Sequence, residues 1–297
     1  MLNKNIIEAG QLGEMVVFYW SIIDYCQWKC TYCCAKGMMD DNLYRQGLSH
    51  SAYKFVLHRL KKLDFNFTIE ILGGEPTLHP ELPYVIDELQ KIENCKDISL
   101  ITNFAKGLNY YLQFDKPNIE IHISYHVEYS KNLLNKIIKL NEQLKHARVL
   151  VEVILYPKQK YYQQMLDFIK GMEDNNINFC TNLTNNNEFW DGIVEDGFYK
   201  TFDKYLTNIG TKIKHVTDTG VEYVTENDIL INNISYYGYK CQPLTYKIDV
   251  AGNIANQCTD EKIGLTSKTE DYTKFLICPN KKRCACRPML HYKKYKC

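Results

Sequence analysis

The sequence lacks an excess of charge. Its 36 Lys and Arg against 35 Asp and Glu leave a formal net charge of +1. A nearly neutral chain sets up no global field toward nucleic acid or an anionic membrane surface, so no nucleic-acid partner is expected. The sequence also lacks an apolar run long enough to span a bilayer, and no membrane partner is expected. Met1 to Glu14 lack the basic segment and apolar core of a secretion signal. The expected location is therefore cytoplasmic, where disulfides rarely persist. Cysteine, by contrast, is plentiful, with 12 in 297 residues. In a reducing compartment that many thiols point to metal or catalysis. The basic residues near the C-terminus (Lys281, Lys282, Arg283, Lys293, Lys294 and Lys296) read as a solvated tail.

The chain is long enough for one large core or two modest ones. Residues 16–24 form an apolar, β-branched and aromatic run that reads as a buried strand. Strands are expected again at 67–72, 97–103, 119–124, 148–156 and 177–182. Helices are expected between them at 49–63, 80–92, 106–113, 130–145 and 161–173, with Ser49 or Ser51 capping the first. Another helix is expected at 197–207. Repeated strand–helix units imply parallel strands and an α/β fold. Six units fit a partial (β/α)6 TIM-type barrel better than a closed eightfold one; a doubly wound open sheet is the alternative. From about residue 215 the chain becomes short-stranded, turn-rich and rich in cysteine. This divides it into a barrel at 1–214 and a small cysteine-rich domain at 215–297.

Strand alternation orients the side chains. Ile119, Ile121 and Ile123 should face the outer helices, and Glu120, His122 and Ser124 the lumen. The valines at 149, 151 and 153 should likewise point out and Glu152 in, as should Asn178, Cys180 and Asn182. Such a lumen suits an enclosed polar ligand better than a hydrophobic core. Taken singly, His122 and His126 read as structural histidines, and Cys180 as a packed thiol.

Three motifs carry chemistry. Cys26, Cys30 and Cys33 stand at C-x3-C-x2-C spacing. That spacing can curl three thiolates around one iron–sulfur cluster, leaving one iron without a protein ligand. Zinc more often uses two C-x2-C pairs, and Cys34, adjoining Cys33, reads as packing. Second, Gly73-Gly74-Glu75-Pro76 ends the second strand. Two glycines admit close approach to the backbone, and the glutamate can accept from an ammonium group. Third, Cys241, Cys258, Cys278, Cys284 and Cys286 cluster near the C-terminus around a hairpin expected at 248–254. A structural zinc knuckle is the alternative to a cluster there.

The cysteine loop after the first strand, the Gly-Gly-Glu turn after the second, and the strand end Thr102-Asn103 together resemble the radical S-adenosylmethionine (radical SAM) enzymes. The resemblance implies that Cys26, Cys30 and Cys33 ligate a [4Fe–4S] cluster whose open iron is chelated by S-adenosylmethionine. It implies that Gly73, Gly74 and Glu75 hold the methionine amino group, that Tyr32 contacts adenine through its backbone, and that Ser124 contacts the ribose. Asn103 and Glu152 are further cofactor contacts on the same basis. Cleavage then yields a 5′-deoxyadenosyl radical that takes a hydrogen atom from a peptide or small molecule. The C-terminal cysteines resemble the family's SPASM or shorter twitch region. The full SPASM pattern has seven cysteines and a C-x2-C-x5-C-x3-C run, whereas this chain has C-x5-C-x-C. One auxiliary [4Fe–4S] cluster on four of the five is therefore expected, as an electron acceptor for an oxidative step or a substrate anchor, and the resemblance implies a flavodoxin- or ferredoxin-type reductant protein as partner. A zinc-binding interaction protein and an iron–sulfur electron carrier are the rival functions.

Overall fold

The computed structural model of the chain describes residues 5–10, 15–33, 52–183, 194–207, 212–225, 228–229, 232, 234–259, 262–263, 272–279, 281 and 292–296. Ser49 and Ser51, expected to cap the first helix, lie outside these residues, as do Cys34, Cys284 and Cys286.

The chain begins with a short strand, β1 (Ile6–Ala9), followed by the first barrel strand, β2 (Val16–Ile23). Strand and helix then alternate: α1 (Ala52–Leu60), β3 (Phe67–Gly73), α2 (Leu82–Gln90), β4 (Cys95–Thr102) and α3 (Leu108–Leu112). The pattern continues through β5 (Ile119–Tyr125), α4 (Leu133–Gln143), β6 (Arg148–Leu155), α5 (Tyr162–Asp174), β7 (Phe179–Leu183) and α6 (Phe198–Thr207). Strands β2 to β7 pair in parallel and in sequence order. A doubly wound sheet reverses its strand order at a switch point. No such reversal occurs between β2 and β7, so the partial barrel is the observed solution.

The alternation places the core as expected. Ile119, Ile121 and Ile123 are fully buried, with Val151 and Val153 beside them. They meet Val85, Ile86 and Leu89 of α2, Ile137 and Leu140 of α4, and Met165 and Ile169 of α5 in one continuous apolar cluster. Each such buried side chain contributes about 1.5–3 kcal/mol relative to exposure. The opposite faces carry Glu120, His122 and Glu152, all partly buried. Among the described residues no helix is long and apolar enough to cross a membrane.

The later strands do not respect a linear division at residue 215. Strands β8 (Ile213–Thr217), β9 (Gly220–Val224), β10 (Lys240–Cys241), β14 (Leu276–Ile277) and β15 (Lys294–Tyr295) form a six-stranded sheet that takes in β1 from the N-terminus. Strands β11 (Thr245–Ile248), β12 (Ile254–Asn256) and β13 (Lys262–Ile263) join the barrel sheet, with β11 parallel to β2. The expected hairpin is present between β11 and β12. Its turn closes on Gly252 at φ 82°, with Asp249 accepting from the backbone N–H of Ala251 and Asn253.

One reading of the charge pattern is corrected. Lys294 is not solvated: it is 1% exposed, donates to the Tyr292 carbonyl at 2.7 Å and lies 4.9 Å from the Tyr236 ring centroid. Strand β15 is an interior strand between β1 and β10, so alternate side chains must face inward. Its neighbour Lys293 pairs with Glu8 instead.

At the barrel floor Tyr19, Glu70, Ser99, Glu120 and Arg148 stand in register across five strands. Burial pushes the Glu70 carboxyl up to about 7, opposed by a hydrogen bond with Tyr19 and reinforced by the charges of Glu120 and Glu152. A raised folded-state value means stability is lost as pH rises from the ordinary carboxylate range through about 7. Glu70→Gln should flatten that decline and stabilise the chain at pH 8 by about 1–3 kcal/mol. Urea unfolding of both proteins at pH 5 and pH 8 checks this; an equal loss in the two would contradict it.

Candidate functional site

The loop after β2 carries Cys26 and Cys30, 7% and 6% exposed, and the half-buried Cys33. Its shape is held from several sides. Glu128 accepts from the Thr31 backbone N–H at 2.9 Å and from its hydroxyl at 2.8 Å. The Tyr156 hydroxyl lies 2.9 Å from the same Thr31 oxygen. Tyr32 stacks on His126 with centroids 5.7 Å apart, and Trp28 stacks on Tyr129 at 5.3 Å. Two donors reach the sulfur of Cys26: the Trp28 N–H at 3.4 Å and Asn103 Nδ2 at 3.5 Å. His126 Nδ1 lies 3.7 Å from the sulfur of Cys30.

Burial pushes the Cys30 thiol up to about 12, with the charges of Cys33 and Cys26 adding to it. Burial likewise raises Cys26. Thiols so placed need a cation to become thiolates, which is the electrostatic character of a metal site. All three cysteines border one cavity of about 280 Å³. Their spacing separates two kinds of metal. A single zinc holds sulfurs at about 2.3 Å from itself, hence about 3.8 Å from each other. Among the described residues, the trio of metal-ligand atoms that lies within 4.8 Å of one another is a different one, and the loop thiols are not so close.

The Gly73-Gly74-Glu75 turn borders the same cavity from the end of β3. Its glycines are required for a reason other than ligand approach. A Cβ on Gly73 would stand 2.2 Å from the Ile23 carbonyl oxygen, and one on Gly74 2.1 Å from that of Tyr25. Gly73 also sits at φ 140°, where side chains are rarely tolerated. The bare backbone lets Gly74 N–H donate to Ile23 and Glu75 N–H to Tyr25, both at 2.8 Å. The turn is thereby sewn to the chain that leads into the cysteine loop.

Glu75 is 1% exposed and already engaged. Its Oε1 accepts from Thr77 N–H at 3.1 Å, the Thr77 hydroxyl at 2.5 Å and the Thr102 hydroxyl at 2.7 Å. Its Oε2 accepts from Asn103 N–H at 2.7 Å. Burial raises its pKa, and these four bonds oppose the rise. The carboxylate thus ties the end of β3 to the end of β4.

The other expected residues are placed as follows. Asn103, 6% exposed, bridges Cys26 and Gln27, accepting from Gln27 Nε2 at 2.9 Å. Ser124 and Glu152 border the cavity, and Glu152 accepts from Asn182 Nδ2 at 2.7 Å. Tyr32 is 4% exposed within the aromatic stack. In the second sheet, Cys278 directly follows β14, which pairs with the strand holding Cys241. Burial raises Cys241, the Lys294 charge opposes this, and the Cys278 charge adds to it. Cys258 packs apart from them, against Leu244 and Tyr292. Thr31, Glu128 and Thr77 were not expected at the site, and Thr102 was singled out only as part of the Thr102-Asn103 strand end. Their signal is weak: a threonine two residues after Glu75, and another at a strand end. His126, expected as structural, is in fact the ring beside Cys30.

No family model matches the sequence. A GTP 3′,8-cyclase of Aquifex aeolicus is 28% identical over 165 residues, covering 53% of this chain and 49% of that protein. A probable GTP 3′,8-cyclase of Methanococcus maripaludis is 34% identical over 125 residues, 40% of each chain. The chain thus spans about half the length of these curated relatives, or less. The fold is similar to that of SuiB from Streptococcus suis, solved bound to S-adenosylmethionine, with a TM-score of 0.55 and 16% identity. That match covers 86% of this chain and 64% of SuiB. Relatives and fold together support the radical SAM superfamily.

The backbone seam gives a direct test. Gly74→Ala should displace the Tyr25–Cys26 segment and lower the iron bound on reconstitution by up to about half, the share expected at the cysteine loop. Gly107→Ala, where an added Cβ meets nothing within 4 Å, should bind iron as the unmodified chain does. Equal iron content in the two variants would show that the seam does not shape the loop.

Proposed function

We propose that this chain is a radical SAM enzyme acting on a peptide or a small molecule. The observation that carries the reading is the meeting of two buried thiols, Cys26 and Cys30, and the half-buried Cys33 with the Gly-Gly-Glu turn around one cavity. Cys26, Cys30 and Cys33 would hold a [4Fe–4S] cluster with one iron free of protein thiolate. Gly73, Gly74 and Glu75 would receive the amino end of S-adenosylmethionine, the ligand with which the SuiB fold was solved. Glu75 Oε1 is taken by three donors and Oε2 by one, so Oε2 is the oxygen with acceptor capacity remaining for an ammonium group. Ser124 would meet the ribose, and Tyr32 the adenine through its backbone.

When loaded, such a site supplies reductive cleavage of the sulfonium to a 5′-deoxyadenosyl radical, which takes a hydrogen atom from substrate. The chain's own residues do the positioning. Thr31, Glu128 and Tyr156 hold the loop still. Asn103 and Trp28 direct N–H groups at the Cys26 sulfur, and such bonds tune cluster potential. The apolar wall residues Ile101, Ile154, Leu72 and Leu183 would help keep water from the reacting centre.

The C-terminal cysteines would carry one auxiliary [4Fe–4S] cluster. The pairing of β10 with β14 supports this by bringing Cys241 and Cys278 to neighbouring strands. Cys258, Cys284 and Cys286 supply the remaining candidates. An auxiliary cluster suits an oxidative step, and a flavodoxin- or ferredoxin-type protein would deliver the first electron. The curated relatives are named for cyclising GTP, but their matched segments span too little of this chain to carry that substrate over.

Anaerobic reconstitution should yield about eight irons per chain, two [4Fe–4S] clusters. A strong reductant with S-adenosylmethionine should then release 5′-deoxyadenosine. The triple variant Cys26/Cys30/Cys33→Ala should keep about half the iron and release none. A fully loaded chain that yields no 5′-deoxyadenosine would refute the reading.

A further inference from the structure

Below the cysteine loop, three adjacent parallel strands point unlike donors at one place. His122 lies on β5, Glu152 on β6 and Cys180 on β7, with Glu152 and Cys180 in register. Their ligand atoms all lie within 4.8 Å of one another, and His122 Nε2 is 3.9 Å from Glu152 Oε2. We propose that His122, Glu152 and Cys180 bind one zinc ion in the barrel lumen.

Four observations support the assignment. The spacing comes near that of a single ion: zinc bonds of about 2.0–2.3 Å set tetrahedral ligands about 3.3–3.8 Å apart, against 3.9 Å between His122 Nε2 and Glu152 Oε2 and at most 4.8 Å for the other pairs. The donor set of imidazole, carboxylate and thiolate favours zinc over magnesium or calcium, which take oxygen ligands. His122 Nε2 is buried without a hydrogen-bond partner, as a nitrogen reserved for a metal would be. Groups beyond the trio stand where those of metal sites do, one of them hydrogen-bonded to a ligand and one near another. The other ring nitrogen, Nδ1, faces Glu120 Oε1 at 3.8 Å, and the other carboxylate oxygen of Glu152 accepts from Asn182 Nδ2 at 2.7 Å.

The charge balances. Zinc binding displaces the Cys180 proton, and one thiolate, one carboxylate and one neutral imidazole leave the half-buried site without net charge. Three protein ligands leave a fourth position for water or an oxygen-bearing group. Glu152 also borders the cavity of the cysteine loop, so a ligand held in that cavity has access to the ion. The assignment gives Glu152 a metal to hold in place of the cofactor contact implied by the resemblance. It does not rest on the radical SAM reading, since none of its ligands belongs to either cysteine set.

The test uses the full chain after iron and sulfide reconstitution, which fills the cluster thiols. Zinc is then added, excess is removed by gel filtration, and bound metal is counted by elemental analysis. The unmodified chain should retain one zinc more than His122→Ala. Glu120→Gln should weaken binding about ten- to a hundredfold. Cobalt in place of zinc should give a sulfur-to-cobalt charge-transfer band that Cys180→Ser removes, and this near-isosteric variant decides the matter should His122→Ala not fold. Zinc retained equally by the chain and His122→Ala, or a cobalt–sulfur band unchanged in Cys180→Ser, would overturn the proposal. Loss of 5′-deoxyadenosine release with the zinc count intact would strike the proposed function alone.

Discussion

Two backbone hydrogen bonds hold this site together. Gly74 and Glu75 donate at 2.8 Å to the carbonyls of Ile23 and Tyr25, one residue on either side of Asp24. The bonds form because neither Gly73 nor Gly74 carries a Cβ, which would stand little more than 2 Å from those oxygens. They fix the end of β3 against the chain entering the cysteine loop. Glu75 extends the seam sideways, gathering Thr77, Thr102 and Asn103 around one fully buried carboxylate. Asn103 then reaches back to the sulfur of Cys26. Strand end, turn and thiol form a closed circuit, so the cavity has a set shape before anything binds in it. Removing one member leaves buried polar groups unpaired, at about 1–3 kcal/mol each.

The barrel was legible in the sequence because its signals are local and repeated. Ile119, Ile121 and Ile123 alternate with polar residues, and each amphipathic helix follows its strand at short range. The cysteine loop and the Gly-Gly-Glu turn were legible for the same reason, their chemistry being compressed into a few residues. Pairing over long separations was not legible. Strand β1 bonds to β15 nearly three hundred residues away, and β15 comprises Lys294 and Tyr295 alone. Two residues have no period, so the buried Lys294 read as part of a basic tail. The return of β11 to β2 is a pairing of the same long-range kind.

The candidate zinc site shows the other way in which meaning is hidden. His122, Glu152 and Cys180 are spread over almost sixty residues; taken singly His122 and Cys180 have ordinary structural readings, and Glu152 reads as a cofactor contact by resemblance. Only the parallel register of three adjacent strands brings their donor atoms together. The glycines of the turn teach a related lesson. Their presence pointed to the right place, but the space they leave is filled by the protein's own backbone. In both cases the residue types were informative, and the topology decided what they do.

The central claim is that the open iron at Cys26, Cys30 and Cys33 receives the amino end of S-adenosylmethionine against the Gly73–Glu75 turn. Pulsed electron paramagnetic resonance on the reduced, reconstituted chain tests it most directly, using cosubstrate labelled with 15N at the methionine amino group. The account predicts hyperfine coupling from that nitrogen to the cluster spin, weakened or lost in Gly74→Ala. A cluster spectrum unaltered by the cosubstrate, with no nitrogen coupling, would contradict it.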